Sequence, residues 1–275
     1  MDAKMQRRVQ RYGWDKAVVD YEPGWKESLA DAHAELLRIA NAQAGEHVLD
    51  LACGTGLVTL PLAVSVGPAG RVTATDISEE MIVATRRSAL EQALSNVFAY
   101  RSDAESVEMM PDCSVDAVTC ALGLMYVPHP ARVLAEAWRV LKPGGRAVMA
   151  VWGERSRCGW AEIFPIVDAR VKTSVCPHFF RLGTGPALPK ELELAGFVDV
   201  VQTRILTELP YASPEAAIRA AFSGGPVALA YNRFDVNTRH QVHEEYLASI
   251  CAYRDDDGYK IPGEFVVCSG HKQAK

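Results

Sequence analysis

The sequence lacks a long hydrophobic run, an excess of positive charge and any CxxC cysteine pair. No apolar stretch approaches the roughly 20 residues of a membrane-spanning helix, and the start, MDAKMQRRVQ, carries charge without the apolar core of a signal peptide. The 275 residues include 29 basic and 34 acidic side chains, and the net charge of −5 gives no general attraction to nucleic acid or anionic membranes. The seven cysteines are scattered and odd in number, which disfavours a disulfide framework or a structural zinc site. We therefore expect a cytoplasmic protein with reduced thiols, no membrane span, no nucleic-acid partner and a small-molecule ligand.

Between residues 44 and 152, short apolar runs alternate with segments of helical periodicity. The runs that predict strands are HVLDLAC, RVTATDI, VFAYRSD, DAVTCALG and GRAVMAVW, and helices are predicted over Leu57–Val66, Glu79–Ala93 and Ala131–Val140. This alternation is typical of βαβ units, so it predicts an α/β, Rossmann-like, doubly wound and mostly parallel sheet. The ligand of such a sheet binds at the carboxyl ends of its strands.

Helical patterns flank this segment and extend it. A helix is predicted over Leu29–Ile39, and the segments after Trp152 predict, in order, a helix in CGWAEIFPIVDARV, a helix in LPKELELAGF, a strand in VDVVQTRILTEL, helices over about Pro214–Tyr231 and Asn237–Tyr253, and a strand in GEFVVCSGH. The two additional strands bring the predicted sheet to seven. No repeat, low-complexity tract or linker divides the chain, so we expect a single domain over residues 1–275 with an N-terminal helical flank and helical cap insertions.

The stretch VLDLACGTG closes an apolar strand with two glycines, Gly54 and Gly56. Glycines at such a turn let a ligand lie against bare backbone. A dinucleotide fingerprint would have a small residue at the third position, where Thr59 stands, and a phosphate-binding P-loop would have a lysine, which does not follow here. The loop therefore favours a nucleoside ligand without phosphates.

Acidic side chains follow the first three predicted strands. Asp76 ends RVTATD about twenty residues after the loop, where a carboxylate can accept hydrogen bonds from both ribose hydroxyls. Asp103 follows the third strand and could accept a hydrogen bond from an adenine amine, while Asp50 precedes the glycines. Each acid also has a structural interpretation, as a turn residue, a helix cap or a loop residue. Their order on successive strand ends favours a shared ligand.

Four segments together resemble a known family. VLDLACGTG, VTATDIS, SDAESV and SVDAVTCALGLMYVPHPARVLAEAWRVLKPGG are similar to the successive motifs of class I S-adenosylmethionine-dependent methyltransferases, and the last is most similar to the methyltransferase type 11 and ubiquinone/menaquinone C-methyltransferase groups. The resemblance covers about residues 44–152. One departure is Ala52, where glycine is commonest in the family.

The resemblance implies a cofactor, S-adenosyl-L-methionine, and a set of residues that bind it. Gly54 and Gly56 would run beneath the methionyl and ribose parts, and Asp76 would hold the ribose hydroxyls. The other residues that it implies near the cofactor are Tyr21, Asp50, Ala52, Ile77, Met81, Asp103, Ala104, Ala121 and Leu122. It also implies a division into an N-terminal helical lid over residues 1–43, a cofactor-binding core over 44–152, and the remaining sheet with substrate-cap insertions over 153–275.

Few polar groups stand where an acceptor is expected. The methyl of a sulfonium ion is already a good electrophile, so alignment and exclusion of water are the main tasks and a general base is optional. Tyr126, just after the fourth strand, is the candidate orienting residue, and His178 is a candidate base or hydrogen-bond partner, with a plain loop histidine as the alternative. His240 and His243 share helical spacing, but no third ligand supports a metal site, so we expect none.

Aromatic residues outside the core suggest where the acceptor binds. Trp25, Trp152, Trp160 and Phe179, with Tyr126, are the predicted substrate contacts and could cover a flat or apolar acceptor, although they could equally form a secondary core. The leading hypothesis is in-line methyl transfer to an aromatic or lipophilic metabolite, at oxygen, carbon, nitrogen or sulfur. Three alternatives stay open, a noncatalytic S-adenosylmethionine-binding protein, a nicotinamide-dependent oxidoreductase and a thiol-dependent arsenic methyltransferase that would use Cys158, Cys176 and Cys251. A homodimer is the expected assembly if the chain is not monomeric.

Overall fold

One eight-stranded sheet forms the centre of the fold. The computed structural model describes residues 2–172 and 174–274. Its strands are β1 (His47–Leu51), β2 (Arg71–Asp76), β3 (Val97–Arg101), β4 (Val115–Ala121), β5 (Leu141–Trp152), β6 (Val198–Tyr211), β7 (Arg254–Asp255) and β8 (Gly258–His271).

The strand order confirms the predicted Rossmann-like fold class. The order is β3-β2-β1-β4-β5-β8-β6, with β7 paired to β8 outside this path. The first five strands are mutually parallel, whereas β8 runs antiparallel between β5 and β6. Seven strands were predicted. The eighth, β7, has two residues and pairs only across a tight turn to β8, and so short a strand carries no alternating pattern.

Helices cover both faces of the sheet. They are α1 (Ala3–Trp25), α2 (Ala30–Ala40), α3 (Thr59–Val66), α4 (Glu79–Glu91), α5 (Pro130–Val140), α6 (Ile163–Asp168), α7 (Ala187–Leu194), α8 (Pro214–Ile218), α9 (Ala228–Tyr231) and α10 (Val236–Ser249). In β1, Val48 packs with Leu36 of α2 and Leu62 of α3. Its neighbour Leu49 belongs to a second buried cluster that includes Leu134 of α5. Because both faces are buried, the central strands read as continuous apolar runs.

The predicted helix in residues 158–171 is shorter than expected. Only α6 is helical, and it begins two residues before Pro165. Proline has no amide hydrogen and fits only the first turn of a helix, so the helix cannot extend far to the N-terminal side of Pro165.

The helix predicted over 214–231 is also wrong as a single element. It consists of α8, a wide π turn over Arg219–Ser223, and α9 after a break at Gly224, Gly225 and Pro226. A β-carbon on Gly224 would stand 2.5 Å from the carbonyl oxygen of Asp20 in α1. The break therefore lets the backbone of the cap approach α1 closely.

The N-terminal flank begins with the 23-residue helix α1. The Asp2 carboxylate accepts a hydrogen bond from the Met5 amide at 2.8 Å and caps its first turn. The helix contacts α4, α9 and the π turn, so it connects the sheet to the cap. Among the helices of the described residues, none is long and apolar enough to cross a membrane.

Candidate active site

A cavity of about 960 Å³, including its open mouth, lies at the carboxyl ends of β1, β2, β3 and β4. Helix α1 forms the opposite wall. This is the position at which open α/β sheets bind ligands, and the volume suits a ligand larger than a nucleoside.

The glycine loop after β1 presents bare backbone to the cavity at one glycine. Gly54 has φ of 57° and lies on the wall, and a β-carbon there would come within 3.7 Å of the Tyr21 ring. Gly56 has φ of 94° but faces Thr85 of α4, whose methyl would be 3.3 Å from a β-carbon. Gly56 therefore lies outside the cavity lining and allows close helix packing, a role different from the predicted ligand contact.

Ala52, the departure from the family pattern, lies on the wall in an unusual conformation. Its φ of 53° is in the left-handed region, where a β-carbon is strained and glycine is favoured. Its methyl also restricts Gly123, because a β-carbon on Gly123 would stand 2.3 Å from that of Ala52. The Ala52 methyl therefore fits only because position 123, two residues after β4, is a glycine.

Asp50 lies beneath the loop and outside the cavity lining. Its two carboxylate oxygens accept hydrogen bonds from the hydroxyls of Thr59 in α3 at 2.6 Å and Thr119 in β4 at 2.7 Å. Burial raises the pKa of Asp50 to about 6, against the opposing effect of the two hydroxyls. Asp50 therefore links three elements from outside the lining of the cavity, and its predicted place near the cofactor stays a prediction.

Asp76, at the end of β2, lines the cavity and organises the loop around it. Its carboxylate accepts hydrogen bonds from the Gly54 amide at 3.0 Å and the Ser78 amide at 2.9 Å. Burial raises the pKa of Asp76 to about 6 although both amides favour the charged form. Each oxygen accepts a single bond from the described residues and keeps a lone pair for a ligand hydroxyl.

A second group of predicted residues surrounds the end of β3. Ile77, Met81, Asp103 and Ala104 all line the cavity, together with Ser102. One Asp103 oxygen accepts a hydrogen bond from the backbone amide of Glu105, two residues later, at 3.0 Å. The apolar side chains and this carboxylate form a compartment suited to a flat ring with an amine.

The end of β4 lies between this compartment and the rest of the cavity. Ala121 and Leu122 line the wall as the resemblance implied. Leu122 has a left-handed φ of 61°, so the chain turns sharply there before Gly123. This turn leads into the short 3₁₀ helix that carries Tyr126.

Tyr21 covers the glycine loop from α1. Burial, and next the nearby Asp76 carboxylate, raise the pKa of Tyr21 above its usual range. Its hydroxyl therefore stays protonated and can donate a hydrogen bond inside the cavity. The Trp14 ring packs edge-on against it at a centroid distance of 5.8 Å.

The part of the cavity away from the loop is aromatic, and we call it the acceptor compartment. Its lining residues are Trp14, Trp25, Leu29, Tyr126, Trp152, Trp160, Gly225 and Pro226. Trp152 and Trp160 are 4.7 Å apart between centroids, and Trp25 lies 6.0 and 5.7 Å from them. The indole N–H of Trp25 donates to the Ala220 carbonyl at 3.0 Å, whereas that of Trp160 is buried without an acceptor among the described residues.

Tyr126 stands at the junction of the two parts. Its ring packs against Trp14 at 5.1 Å and against Phe179 at 5.3 Å. Burial raises the pKa of Tyr126 well above its usual range. At neutral pH the side chain is therefore a hydrogen-bond donor or acceptor, and it is not a base.

The other candidate residues of the acceptor site lie outside the lining. His178 is exposed, because the turn that carries it directs Phe179 inward and His178 toward solvent. Phe179 is buried behind the wall, 5.6 Å from the Trp160 ring, and supports the compartment without lining it. Burial raises the pKa of both Cys158 and Cys176 to about 12, and neither lines the cavity. The geometry therefore supports neither a histidine base nor a thiolate site.

Some lining residues were not predicted from the sequence. Arg7 and Gln10 lie in a polar segment of α1, and Gly225 and Pro226 lie in the break that was predicted to be helix. The Pro226 dipeptide, GP, was a usable signal for a turn. Nothing local distinguishes Arg7 from its neighbours.

The residues around the glycine loop and the ends of β2 and β3, which we call the nucleoside compartment, fit S-adenosylmethionine. Gly54 exposes backbone that a β-carbon would cover, Asp76 has lone pairs left for a ligand, and Asp103 lines the same cavity as the apolar Ile77 and Met81. The single basic residue of the lining is Arg7, which is paired with carboxylates, so the loop has no cation for a pyrophosphate. No group of three or more metal-ligating side chains occurs in residues 2–172 and 174–274.

Comparisons with known proteins agree with this geometry. A family model described as a methyltransferase domain matches residues 48–145. The demethylmenaquinone methyltransferase of Listeria monocytogenes serotype 4a (strain HCC23) is 37% identical over 130 residues, which cover 47% of this chain and 54% of that protein. The alignment thus spans about half the length of that relative.

Two further relatives extend the match. The demethylmenaquinone methyltransferase of Geobacillus stearothermophilus is 35% identical over 180 residues, covering 60% of this chain and 76% of that protein. The fold is similar to the structure of Haemonchus contortus phosphoethanolamine N-methyltransferase 2 with S-adenosylhomocysteine, with a TM-score of 0.61, 16% identity and coverage of 94% of this chain and 57% of that one. The chain belongs to the class I S-adenosylmethionine-dependent methyltransferases, in the ubiquinone/menaquinone methyltransferase group.

Proposed function

We propose that the protein transfers the methyl group of S-adenosylmethionine to a flat, uncharged aromatic metabolite. The observation that carries this proposal is a single cavity whose lining combines two carboxylates, Asp76 and Asp103, with three tryptophan rings packed together. Bound S-adenosylmethionine supplies an electrophilic methyl group. The chain's own residues then have to orient the acceptor and exclude water.

Tyr126 is the proposed orienting residue. Its hydroxyl stays protonated through burial, so it can donate a hydrogen bond to an oxygen of the acceptor. Tyr126 lines the same cavity as Leu122, which is predicted to lie near the methyl donor, and this supports the proposed role. Trp14 and Tyr21 cover the same region from α1 and limit the access of water.

The lining favours an acceptor that ionises without a strong base. Its charged residues are Arg7, Asp76 and Asp103, all at the nucleoside end. Around the acceptor the groups are aromatic, aliphatic or neutral. A phenol or hydroquinone, which loses its proton more readily than an alcohol or an unactivated carbon, fits these surroundings best.

The names of the relatives point in the same direction. Two of them act, by name, on demethylmenaquinone. The family match at residues 48–145 contains Tyr126 but not Trp25, Trp152 or Trp160. These three tryptophans lie outside that match, and we propose a ring similar in size and polarity to that of demethylmenaquinone, a hydroxylated naphthalene or naphthoquinol, as the substrate class.

A transfer assay tests the proposal. The protein would be incubated with methyl-labelled S-adenosylmethionine and separate panels of naphthoquinols, phenols, amines and thiols, with boiled protein as the control. We expect label in a naphthoquinol or phenol product and formation of S-adenosylhomocysteine. Label only in an amine or a thiol would contradict the substrate class. Tight binding of the cofactor with no label in any panel would instead favour the noncatalytic alternative.

Three coarser features of the proposal concern the whole chain. We propose one methyltransferase domain with the lid, core and cap divisions at residues 1–43, 44–152 and 153–275, which the insertion of β8 between β5 and β6 supports. We propose a cytoplasmic location, supported by seven cysteines that are all free. A homodimer stays a prediction, which light scattering after size-exclusion chromatography would test.

A further inference from the structure

We propose that Arg7 is a cofactor-retaining residue, whose ion pairs hold α1 across the adenine end of the cavity and thereby set the rate at which the cofactor leaves. The inference rests on the proposed function, since it assumes that S-adenosyl ligands occupy this cavity. Arg7 lies outside the segment that the family model matches.

Arg7 connects the first helix to two carboxylates after β3. Its Nε is 2.7 Å from Oδ2 of Asp103, and its terminal nitrogen contacts the Glu105 carboxylate. The other Asp103 oxygen accepts the Glu105 amide. Nε of Arg7 makes no hydrogen bond in the described residues, so its contact with Asp103 is an ion pair without hydrogen-bond geometry. One Asp103 oxygen is therefore held by the Glu105 amide, and the other lies next to the Arg7 charge.

The Glu105 pair gives this contact its strength. The Glu105 side chain is 2% exposed, and besides Arg7 it accepts only the amide of His129, at 3.1 Å, among the described residues. A buried carboxylate that loses its cation is strongly destabilised. When α1 moves away, Glu105 loses that cation, so opening of the helix at this end is opposed.

Other contacts of α1 are neutral or lie elsewhere along the wall. The Gln6 side-chain amide donates to the Tyr126 carbonyl at 3.0 Å, and the Ser78 hydroxyl donates to Asp15 at 2.6 Å. These contacts attach α1 to the ends of β4 and β2. Arg7 is the attachment at the end of β3, beside Ser102 and Ala104 of the adenine compartment.

The neighbouring arginine offers a matched control. Arg8 is exposed, makes no ion pair in the described part of the chain, and lies 5.9 Å from the Tyr12 ring centroid. The substitutions Arg7→Gln and Arg8→Gln therefore remove the same charge from adjacent positions of one helix. Arg7→Lys keeps the charge but loses the forked contact with two carboxylates.

The experiment measures dissociation of labelled S-adenosylhomocysteine after a chase with excess unlabelled ligand. We expect Arg7→Gln to dissociate about tenfold faster or more, Arg8→Gln to match the wild type, and Arg7→Lys to lie between them. Salt should speed dissociation from the wild type more than from Arg7→Gln, because part of the ion pair is solvent-accessible. Equal rates for Arg7→Gln and Arg8→Gln would overturn the inference.

A second readout does not need the cofactor. Hydrogen exchange of the ligand-free variants should be faster over Ala3–Trp25 in Arg7→Gln than in Arg8→Gln, with the sheet unchanged in both. Equal protection of α1 would also overturn the inference. A wild-type protein that binds no S-adenosylhomocysteine would contradict the proposed function instead, whatever the exchange data show.

Discussion

At the residue scale, Ala52 and Gly123 form a pair that explains a departure from the family pattern. Gly123→Ala alone should destabilise the protein by about 1–3 kcal/mol, because the new methyl would overlap that of Ala52. Ala52→Gly should stabilise it by ~1 kcal/mol, since it removes a left-handed alanine. In the double variant most of the Gly123→Ala cost should disappear. Chemical denaturation of the four proteins measures this coupling, and strictly additive effects would contradict it.

Asp76 should make cofactor affinity depend on pH. The ribose hydroxyls bind the carboxylate form, and burial raises the pKa of Asp76 to about 6 in the free protein. Affinity should therefore be highest above pH 6 and fall by about tenfold at pH 5. Titration calorimetry with S-adenosylhomocysteine at pH 7.5 and 5 measures this change.

Asp76→Asn is the control for that pH dependence. It should weaken binding at pH 7.5 by about 1.5–3 kcal/mol, since it removes charge-assisted hydrogen bonds. It should also flatten the profile between pH 5 and 7.5. A variant with wild-type affinity, or with the same fall at pH 5, would show that another group controls binding.

Tyr126→Phe should separate catalysis from cofactor binding. The substitution keeps the ring that packs on Trp14 and Phe179 and removes only the hydroxyl. We expect kcat to fall by about 10-fold or more, the change that a loss of ~1.4 kcal/mol of transition-state stabilisation produces, while the Kd of S-adenosylhomocysteine stays unchanged. Steady-state kinetics and calorimetry measure the two quantities. A loss confined to cofactor affinity would mean that the Tyr126 hydroxyl contacts the cofactor and does not orient the acceptor.

At the element scale, Asp50 joins β1 to α3 and β4. Asp50→Ala should destabilise the fold by about 2–4 kcal/mol, because it leaves the buried Thr59 and Thr119 hydroxyls without acceptors. The comparison variant, Asp50→Asn, keeps an acceptor oxygen and should cost less. The midpoint of urea denaturation measures both. Loss of cofactor affinity with unchanged stability would contradict this structural role and indicate that Asp50 binds the cofactor.

The elements that the sequence predicted well are those whose environment is local and uniform. Strands β1, β4 and β5 have buried apolar side chains on both faces, so their runs identify them directly. The segments whose helices were predicted wrongly depend on single residues and on partners that are distant in the sequence. Pro165 limits α6, and Gly224 breaks the cap helix where α1 approaches.

Within the site, the motif residues on the strand ends were predictable but their distances from the cavity were not. Asp50, Gly56 and Asp76 belong to one pattern, yet only Asp76 lines the wall. Arg7 was missed because its partner Glu105 lies 98 positions away, and no local pattern encodes such a contact. The exposed position of His178 was not predicted, because the sequence indicates that it lies in a loop but not the direction of its side chain.

At the scale of the whole molecule, the two compartments have different origins. Apart from Tyr21 of α1, the residues predicted to bind the cofactor lie within the matched segment, residues 48–145. The lid comes from α1, and the acceptor wall combines α1, the end of β5 and the cap. The family thus accounts for the reaction class, and we propose that surfaces on either side of that segment, together with Tyr126 inside it, select the acceptor.

The most direct test is calorimetric titration with S-adenosylmethionine, S-adenosylhomocysteine and NAD, after any co-purified ligand is removed. The account predicts micromolar binding of both adenosyl ligands and none of NAD, because the loop has no cation for a pyrophosphate and Arg7 is engaged by two carboxylates. Binding of NAD, or no binding of either adenosyl ligand, would contradict the assignment of S-adenosylmethionine as the cofactor.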